Sequence, residues 1–158
     1  MVSIRECTPH EIHVANGIVD TAVRQLRHVY RPTLEATLRQ SQKVEAVRVF
    51  LASIDETCVG TASIFHNGDQ LTMYRIAVKP EFHRCGVARA LIDGIASICR
   101  QTGYEHDEYI VLQTIRETGN VRIFERLGFA VIDEQVAKWC ISDTYVTLHE
   151  VTMRKRIA

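Results

Sequence analysis

No stretch of this 158-residue sequence has the roughly 20 consecutive apolar residues that a bilayer-spanning helix needs. No basic start leads into an apolar run either, and Met1-Val2-Ser3-Ile4-Arg5-Glu6 reads as a first strand, not a leader. Neither sign of charge is in excess, because 19 Lys and Arg balance 19 Asp and Glu. That argues against a general binder of nucleic acid or anionic membrane, which would show a basic surplus. The three prolines, Pro9, Pro32 and Pro80, all stand at apparent element boundaries. No repeat, low-complexity tract or linker divides the chain, so a single domain over 1–158 is expected. The five cysteines (Cys7, Cys58, Cys85, Cys99 and Cys140) are odd in number and lack any C-x-x-C spacing. Scattered thiols of this kind fit a reducing cytoplasm, the expected location. His10 and His13 have no third ligand nearby in sequence, so no metal is expected.

What is present is a regular alternation of patterns. Residues 2–7 read as a strand. Thr8 as cap, Pro9 at the first helical position and Glu11 in the first turn mark a helix start. The helix that follows should bury Ile12, Ala15, Val19, Ala22, Val23 and Leu26, and a second short helix should follow Pro32. Residues 44–54 and 59–65 read as a hairpin joined by 55–58. Asn67-Gly68 is a second hairpin signal, leading into a strand over 71–78. From Val87 the period becomes helical, with Val87, Leu91, Ile95 and Ile98 in one stripe and Gly103 to end it. Residues 109–114 read as a strand buried on both faces. A helix over 121–127 ends at Gly128, and strands over 129–132 and 144–153 close the chain. The expected fold is α/β (α+β), a mixed sheet with helices on both faces.

The most informative stretch is Pro80-Glu81-Phe82-His83-Arg84-Cys85-Gly86-Val87-Ala88-Arg89. A strand, a tight glycine turn and a helix N-terminus make an anion site. The first helical N–H groups lack intrahelical partners, and the helix dipole favours negative charge there. Arg84 and Arg89 add positive charge, and a pyrophosphate is the expected guest. No G-x-G-x-x-G follows the first strand, which disfavours a Rossmann dinucleotide site.

Over essentially its whole length the chain resembles the GNAT superfamily of N-acetyltransferases. The family signature, Arg or Gln, two residues, Gly, one residue, then Gly or Ala, reads here His83-Arg84-Cys85-Gly86-Val87-Ala88. Its flanks also match, with Ala77, Val78, Pro80 and Glu81 before it and Arg89, Ala90, Leu91 and Ile92 after it. A second block, Asn120-Val121-Arg122-Ile123-Phe124-Glu125-Arg126-Leu127-Gly128-Phe129, resembles the family's short helix ending in Leu-Gly-Phe, and Val151-Thr152-Met153-Arg154-Lys155 resembles its final strand. The resemblance implies a three-layer domain with about seven mostly antiparallel strands and about four helices. It implies acetyl-coenzyme A as cosubstrate, no metal, and transfer to a primary amine of a small molecule or peptide. It gives no role to nucleic acid or membrane and is compatible with a homodimer. Ile76, Ala77 and Val78 would pair with the pantetheine arm. The Ile76 N–H would hold the oxyanion. His83, Arg84, Cys85, Gly86, Val87, Ala88 and Arg89 would cradle the pyrophosphate. Asn120 would touch the cofactor arm, although a helix-start cap explains it equally well.

Two positions depart from the pattern. His83 replaces the Arg or Gln, and reads either as a pH-dependent contact or as an exposed turn residue. Phe124 stands where many members carry a Tyr whose hydroxyl protonates the leaving thiolate. Phe has no proton to give, so Phe124 is expected to serve as a packing wall for the thioester arm. The general base is not identified; Glu35, Glu117 and Tyr74 are candidates by position, with Tyr145 a substitute proton donor. Tyr30, Arg31 and Trp139 are candidate linings of the acceptor pocket. Phe124 also motivates an alternative reading, a non-catalytic acyl-coenzyme-A-binding or sensing module.

Overall fold

The computed structural model describes residues 1–41, 47–68, 70–103 and 107–157. Nine strands and four α-helices follow in the order β1 (Val2–Glu6), α1 (Ile12–Leu26), β2 (Arg31–Pro32), α2 (Leu34–Ser41), β3 (Arg48–Ile54), β4 (Thr57–Asn67), β5 (Gln70–Val78), α3 (Val87–Gln101), β6 (Tyr109–Ile115), α4 (Asn120–Arg126), β7 (Ala130–Val136), β8 (Cys140–Ile141) and β9 (His149–Arg156), among the described residues. Seven strands form one sheet in the order β1-β3-β4-β5-β6-β9-β7. Every neighbouring pair is antiparallel except β5 and β6, which the α3 crossover makes parallel. The expected mixed, mostly antiparallel sheet with helices on both faces is what the chain forms.

One face carries α3 and α4. Phe50, Ile64, Leu71, Met73, Leu91, Ile95, Ile110, Leu112, Val151 and Met153 fill the layer beneath them. The other face carries α1, packed through Ala15 and Ile18 on Leu51 and Ala77. The buried stripe of α1 differs from the expected one. Ile12 and Val23 are exposed, and Ile18 takes the central place. Pro9–Glu11 forms a separate 3-10 turn, so α1 starts later and rotates relative to the sequence count.

Glu11 ties that turn down. Its carboxylate accepts from the backbone N–H and hydroxyl of Thr8 and pairs with Arg5. The Arg5 hydrogen bond and then the Thr8 N–H lower its pKa to about 2. A carboxyl with a depressed folded-state pKa contributes stability above its unfolded value and loses it as pH falls. The melting-temperature difference between wild type and Glu11→Gln should therefore be present at neutral pH and vanish between about pH 4.5 and 2. Thermal melts across that range check it.

Three strand expectations are corrected. The last strand begins at His149, and residues 144–148 form turns and irregular chain. Cys140–Ile141 instead pairs with Arg31–Pro32 in a small ribbon, a long-range pairing that local alternation does not announce. β6 is not buried on both faces: Ile110, Leu112 and Ile115 are buried, but Gln113 is exposed and Tyr109, Val111 and Thr114 are only partly covered. The first hairpin is also tighter than expected, because Thr57 and Cys58 already belong to β4 and only Asp55-Glu56 turns, both with positive φ. The expected start of β3 at Val44 lies outside the described residues.

Candidate active site

β5 and β6 share only three register pairs, Gln70 with Tyr109, Leu71 with Ile110 and Thr72 with Val111. Both strands run on, to Val78 and Ile115, without pairing again. A wedge-shaped cleft therefore opens toward their shared C-terminal end. A bulge in β5 lies along it: Thr61 pairs with Ala77 and Ser63 with Tyr74, so three steps on β5 face two on β4. Arg75, at φ 51°, is the irregular residue, and its guanidinium reaches Asn16 on α1 at 2.9 Å. A bulge interrupts the ladder and re-aims the backbone, here at Ile76. The N–H and C=O groups that β5 turns toward the cleft have no strand to meet beyond Thr72.

The cleft leads to the turn before α3. Pro80–Phe82 forms one 3-10 turn, Arg84 stands at φ 65°, and Gly86 caps α3 at φ 77°. The Cys85 N–H donates to the Phe82 carbonyl at 3.3 Å. The N–H groups of Arg84, Gly86, Val87, Ala88 and Arg89 have no partner among the described residues, while Ala90 starts the helical ladder by donating to Gly86. A Cβ built on Gly86 would meet nothing within 4 Å. The turn is thus an open nest of donors, with Val87 buried beneath it to anchor the helix start.

Two neighbouring side chains each reach a backbone carbonyl. His83 Nε2 lies 3.1 Å from the Val78 carbonyl. A carbonyl only accepts, so the ring donates Nε2–H and ties the turn to the end of β5. The ring is therefore held in place and is not an idle surface residue. Arg89 reaches across to the Arg126 carbonyl at the end of α4, 3.3 Å away, which fastens α3 to α4. Cys85 is exposed, with its thiol 3.7 Å from the His83 carbonyl. Burial pushes the Cys99 and Cys140 thiols up to about 11.

α4 closes the other side of the cleft. Phe124 is half-buried and packs edge-on against Phe129, with centroids 5.8 Å apart. Of the two readings of Asn120, the helix cap falls away: Gly119 is the cap, at φ 84°, and the Thr118 hydroxyl accepts the Asn120 N–H at 3.2 Å. The Asn120 side-chain amide has no hydrogen-bond partner among the described residues.

On the face opposite α4, the β2–β8 ribbon joins the α1–α2 connection to the segment between β7 and β9. Thr33 N–H donates to the Trp139 carbonyl at 2.8 Å, and Arg31 pairs with Asp143 at 2.7 Å. Tyr30 and Trp139 meet edge to face at 6.0 Å over Ile115, Cys140 and Leu148. Burial raises the Tyr30 phenol, and Cys140 adds to the shift. The Trp139 indole donates to Glu150 at 2.8 Å. An open depression of about 630 Å³ lies along this segment, with Lys138, Cys140, Tyr145 and Thr147 in its wall.

A model of the acetyltransferase (GNAT) family matches residues 15–129. The chain belongs to that family. Its fold agrees with solved GNAT-type structures. The ribosomal-protein-S18-alanine N-acetyltransferase of Escherichia coli superposes with TM-score 0.72 at 20% identity, over 100% of this chain and 95% of that one. An N-acetyltransferase of Staphylococcus aureus Mu50 gives 0.69 at 20% identity, covering 99% and 98%. A spermidine N-acetyltransferase chimera from Vibrio cholerae and hSSAT gives 0.69 at 16%, covering 99% and 95%. No curated protein matches the sequence.

The structure brings Ile76, Ala77, Val78 and the turn from His83 to Arg89 to one side of the cleft, with Asn120 and Phe124 on the element facing it. Of the candidate bases, Glu35 is exposed on α2 and Tyr74 packs on Phe65 at 5.7 Å. Tyr145, the substitute donor, is 43% exposed in the irregular segment before β9. Glu117 has 11% of its side chain accessible and holds His149, accepting its backbone N–H at 2.6 Å. His149 and Glu150 were not legible as site residues. The alternation over 144–153 makes them two members of a long strand, whereas the late start of β9 puts them beside the C-terminal end of β6.

Proposed function

We propose that this chain transfers an acetyl group from acetyl-coenzyme A to a primary amine of a small molecule or peptide by direct attack. The observation that carries the reading is the cleft between β5 and β6 ending on a turn with five unpartnered N–H groups. The donor set fits the cofactor's chemistry. Ile76, Ala77 and Val78 offer backbone groups to an amide-bearing arm, as an added strand would use them. The N–H groups at Arg84, Gly86, Val87, Ala88 and Arg89 offer an anion-binding nest at a helix N-terminus, with the Arg84 charge beside it. Bound there, the cofactor supplies an activated acetyl thioester.

The Ile76 N–H, aimed by the bulge, would stabilise charge developing on the carbonyl oxygen. Phe124 and Phe129 would wall the thioester arm, and Asn120 has a free amide to give it. The acceptor would enter from the opposite face, past Tyr30, Arg31 and Trp139, where Glu150 offers a carboxylate to an ammonium. Two of the structural relatives are named for amine acceptors, one an alanine of ribosomal protein S18 and one spermidine, and both protein and polyamine acceptors belong in the first screen. A covalent acyl-cysteine route is disfavoured, because His83, the histidine nearest Cys85 in sequence, is turned onto Val78.

Acetyl-coenzyme A at about 100 times its Kd should raise stability by about 2.7 kcal/mol. Thiol release with spermidine, small alkylamines and short peptides then separates an enzyme from a sensing module, the reading that Phe124 favours. Binding without thiol release from any amine would sink the transferase reading. Alkylated Cys85 that still binds cofactor but has lost all transfer would revive the covalent route.

A further inference from the structure

Residues 149 and 150 open β9 beside the C-terminal end of β6, where Ile115 pairs with Glu150, and they face opposite ways. Glu150 shares its face with Leu148, on the side of Tyr30 and Trp139. His149 shares its face with Val151 and Met153, the layer covered by α3 and α4, against which Phe124 packs. On that side Glu117 grips it twice. Oε1 accepts the His149 backbone N–H at 2.6 Å, and Oε2 lies 3.2 Å from Nδ1. A carboxylate only accepts, so Nδ1 carries a proton in this contact. The held end is covered, with 11% of the Glu117 side chain accessible, while 39% of the His149 side chain is open. Nε2 has no partner among the described residues. Glu117 sits in the 3-10 turn Arg116–Thr118, so the pair stands where β6, one wall of the cleft, passes into the helix bearing Phe124.

We propose that His149 is the proton donor to the departing coenzyme A sulfur, with Glu117 as its positioning residue, and that the pair replaces the hydroxyl Phe124 lacks. The inference rests on the transferase reading above. In the step, the neutral amine nitrogen forms a bond to the acetyl carbonyl carbon. The carbon–sulfur bond breaks and its electron pair stays on sulfur. The Nε2 proton of the His149 imidazolium passes to that sulfur, giving the free thiol. The proton lost by the amine nitrogen leaves to solvent, from which the imidazole is recharged. If the pair were only a tie between β6 and β9, the backbone N–H to Oε1 would suffice, and the ring's outer nitrogen would be idle.

The test uses the full chain with acetyl-coenzyme A as the probe. Binding is followed by thermal shift, and the histidine ring nitrogens by NMR. The expected result is a melting-temperature rise together with a shift of the His149 Nε2 resonance, with the His13 ring unmoved. Binding with His149 unmoved overturns the proposal and leaves the transferase reading standing. Absence of binding overturns both.

Thiol release is then measured on the best amine of the panel or, lacking one, on water. His149→Ala should lower kcat by roughly 100-fold or more, as removal of a general acid does, with cofactor Kd within about twofold. Imidazole in the buffer should restore part of the rate, which no structural defect allows. Glu117→Gln keeps the side chain's shape and should lower kcat by about tenfold or more without imidazole rescue, since the ring is still present. Rates within threefold of wild type in both variants overturn the proposal.

Discussion

Gly86→Glu should abolish acetyl-coenzyme A binding while leaving the protein folded. Gly86 caps α3 at φ 77°, a conformation that costs a side-chain-bearing residue about 1–2 kcal/mol. Nothing in the protein lies within 4 Å of the added Cβ, so no clash is added to that strain. The new carboxylate would instead occupy the space in front of the unpartnered N–H groups of Val87, Ala88 and Arg89. It would take those donors itself and repel a pyrophosphate. Wild-type protein at 100 times its Kd should gain about 2.7 kcal/mol, a rise of roughly 5–11 °C for a chain this long. The variant should show no rise at the same concentration. Gly86→Ala separates the two effects, because it carries the backbone strain without the charge and should retain a rise. A rise in Gly86→Glu equal to that of wild type would place the anion site elsewhere.

Leu91→Ala should be among the most destabilising single changes in this chain. Leu91 is wholly buried one turn into α3 and packs in the core with Val87, Ile95 and the central strands. One of its methyls comes within 3.3 Å of where a Cβ on Gly60 would stand, so β4 presses against this part of the helix with no side chain between them. Truncation removes the transfer energy of the lost atoms and leaves a cavity that a sheet and a helix cannot close. The cost should be about 2–5 kcal/mol, or roughly 4–20 °C in melting temperature. Val23→Ala on α1 is the comparison, since Val23 is 49% exposed and should shift stability by under about 0.5 kcal/mol. Because Leu91 lies four residues after Val87, the same variant should weaken cofactor binding by loosening the start of α3. Chemical denaturation and thermal shift with cofactor measure both. Equal losses in Leu91→Ala and Val23→Ala would contradict the assigned core.

The parts of this protein legible from sequence are those with local causes. The α3 stripe of Val87, Leu91 and Ile95 is a matter of helical period, and all three are buried. The hairpin at Asn67-Gly68 follows from turn chemistry. The open turn of donors follows from a glycine ahead of a helix. Where the reading failed, the deciding contact came from far along the chain. Alternation over 144–153 looked like one strand, but β9 is bounded by its pairing with β6 and β7 and begins at His149. Cys140–Ile141 became a strand because Arg31–Pro32, more than a hundred residues earlier, is there to pair with it. The tie from Arg89 to the Arg126 carbonyl is likewise a contact that only folding brings within reach.

The sequence by itself determined the family, the order of the main elements and the glycine turn ahead of α3, because helix periods, turns and caps depend on residues a few positions apart. Only the tertiary structure decided what stands around that turn. The separation of β5 from β6 after three pairs is a property of neighbouring strands and of the bulge at Arg75, not of either strand's own pattern. The grip of Glu117 on His149 joins residues 32 positions apart that share no local signal. A side chain's chemistry is written in the sequence. The partner that aims it is set by which strands the whole sheet brings together.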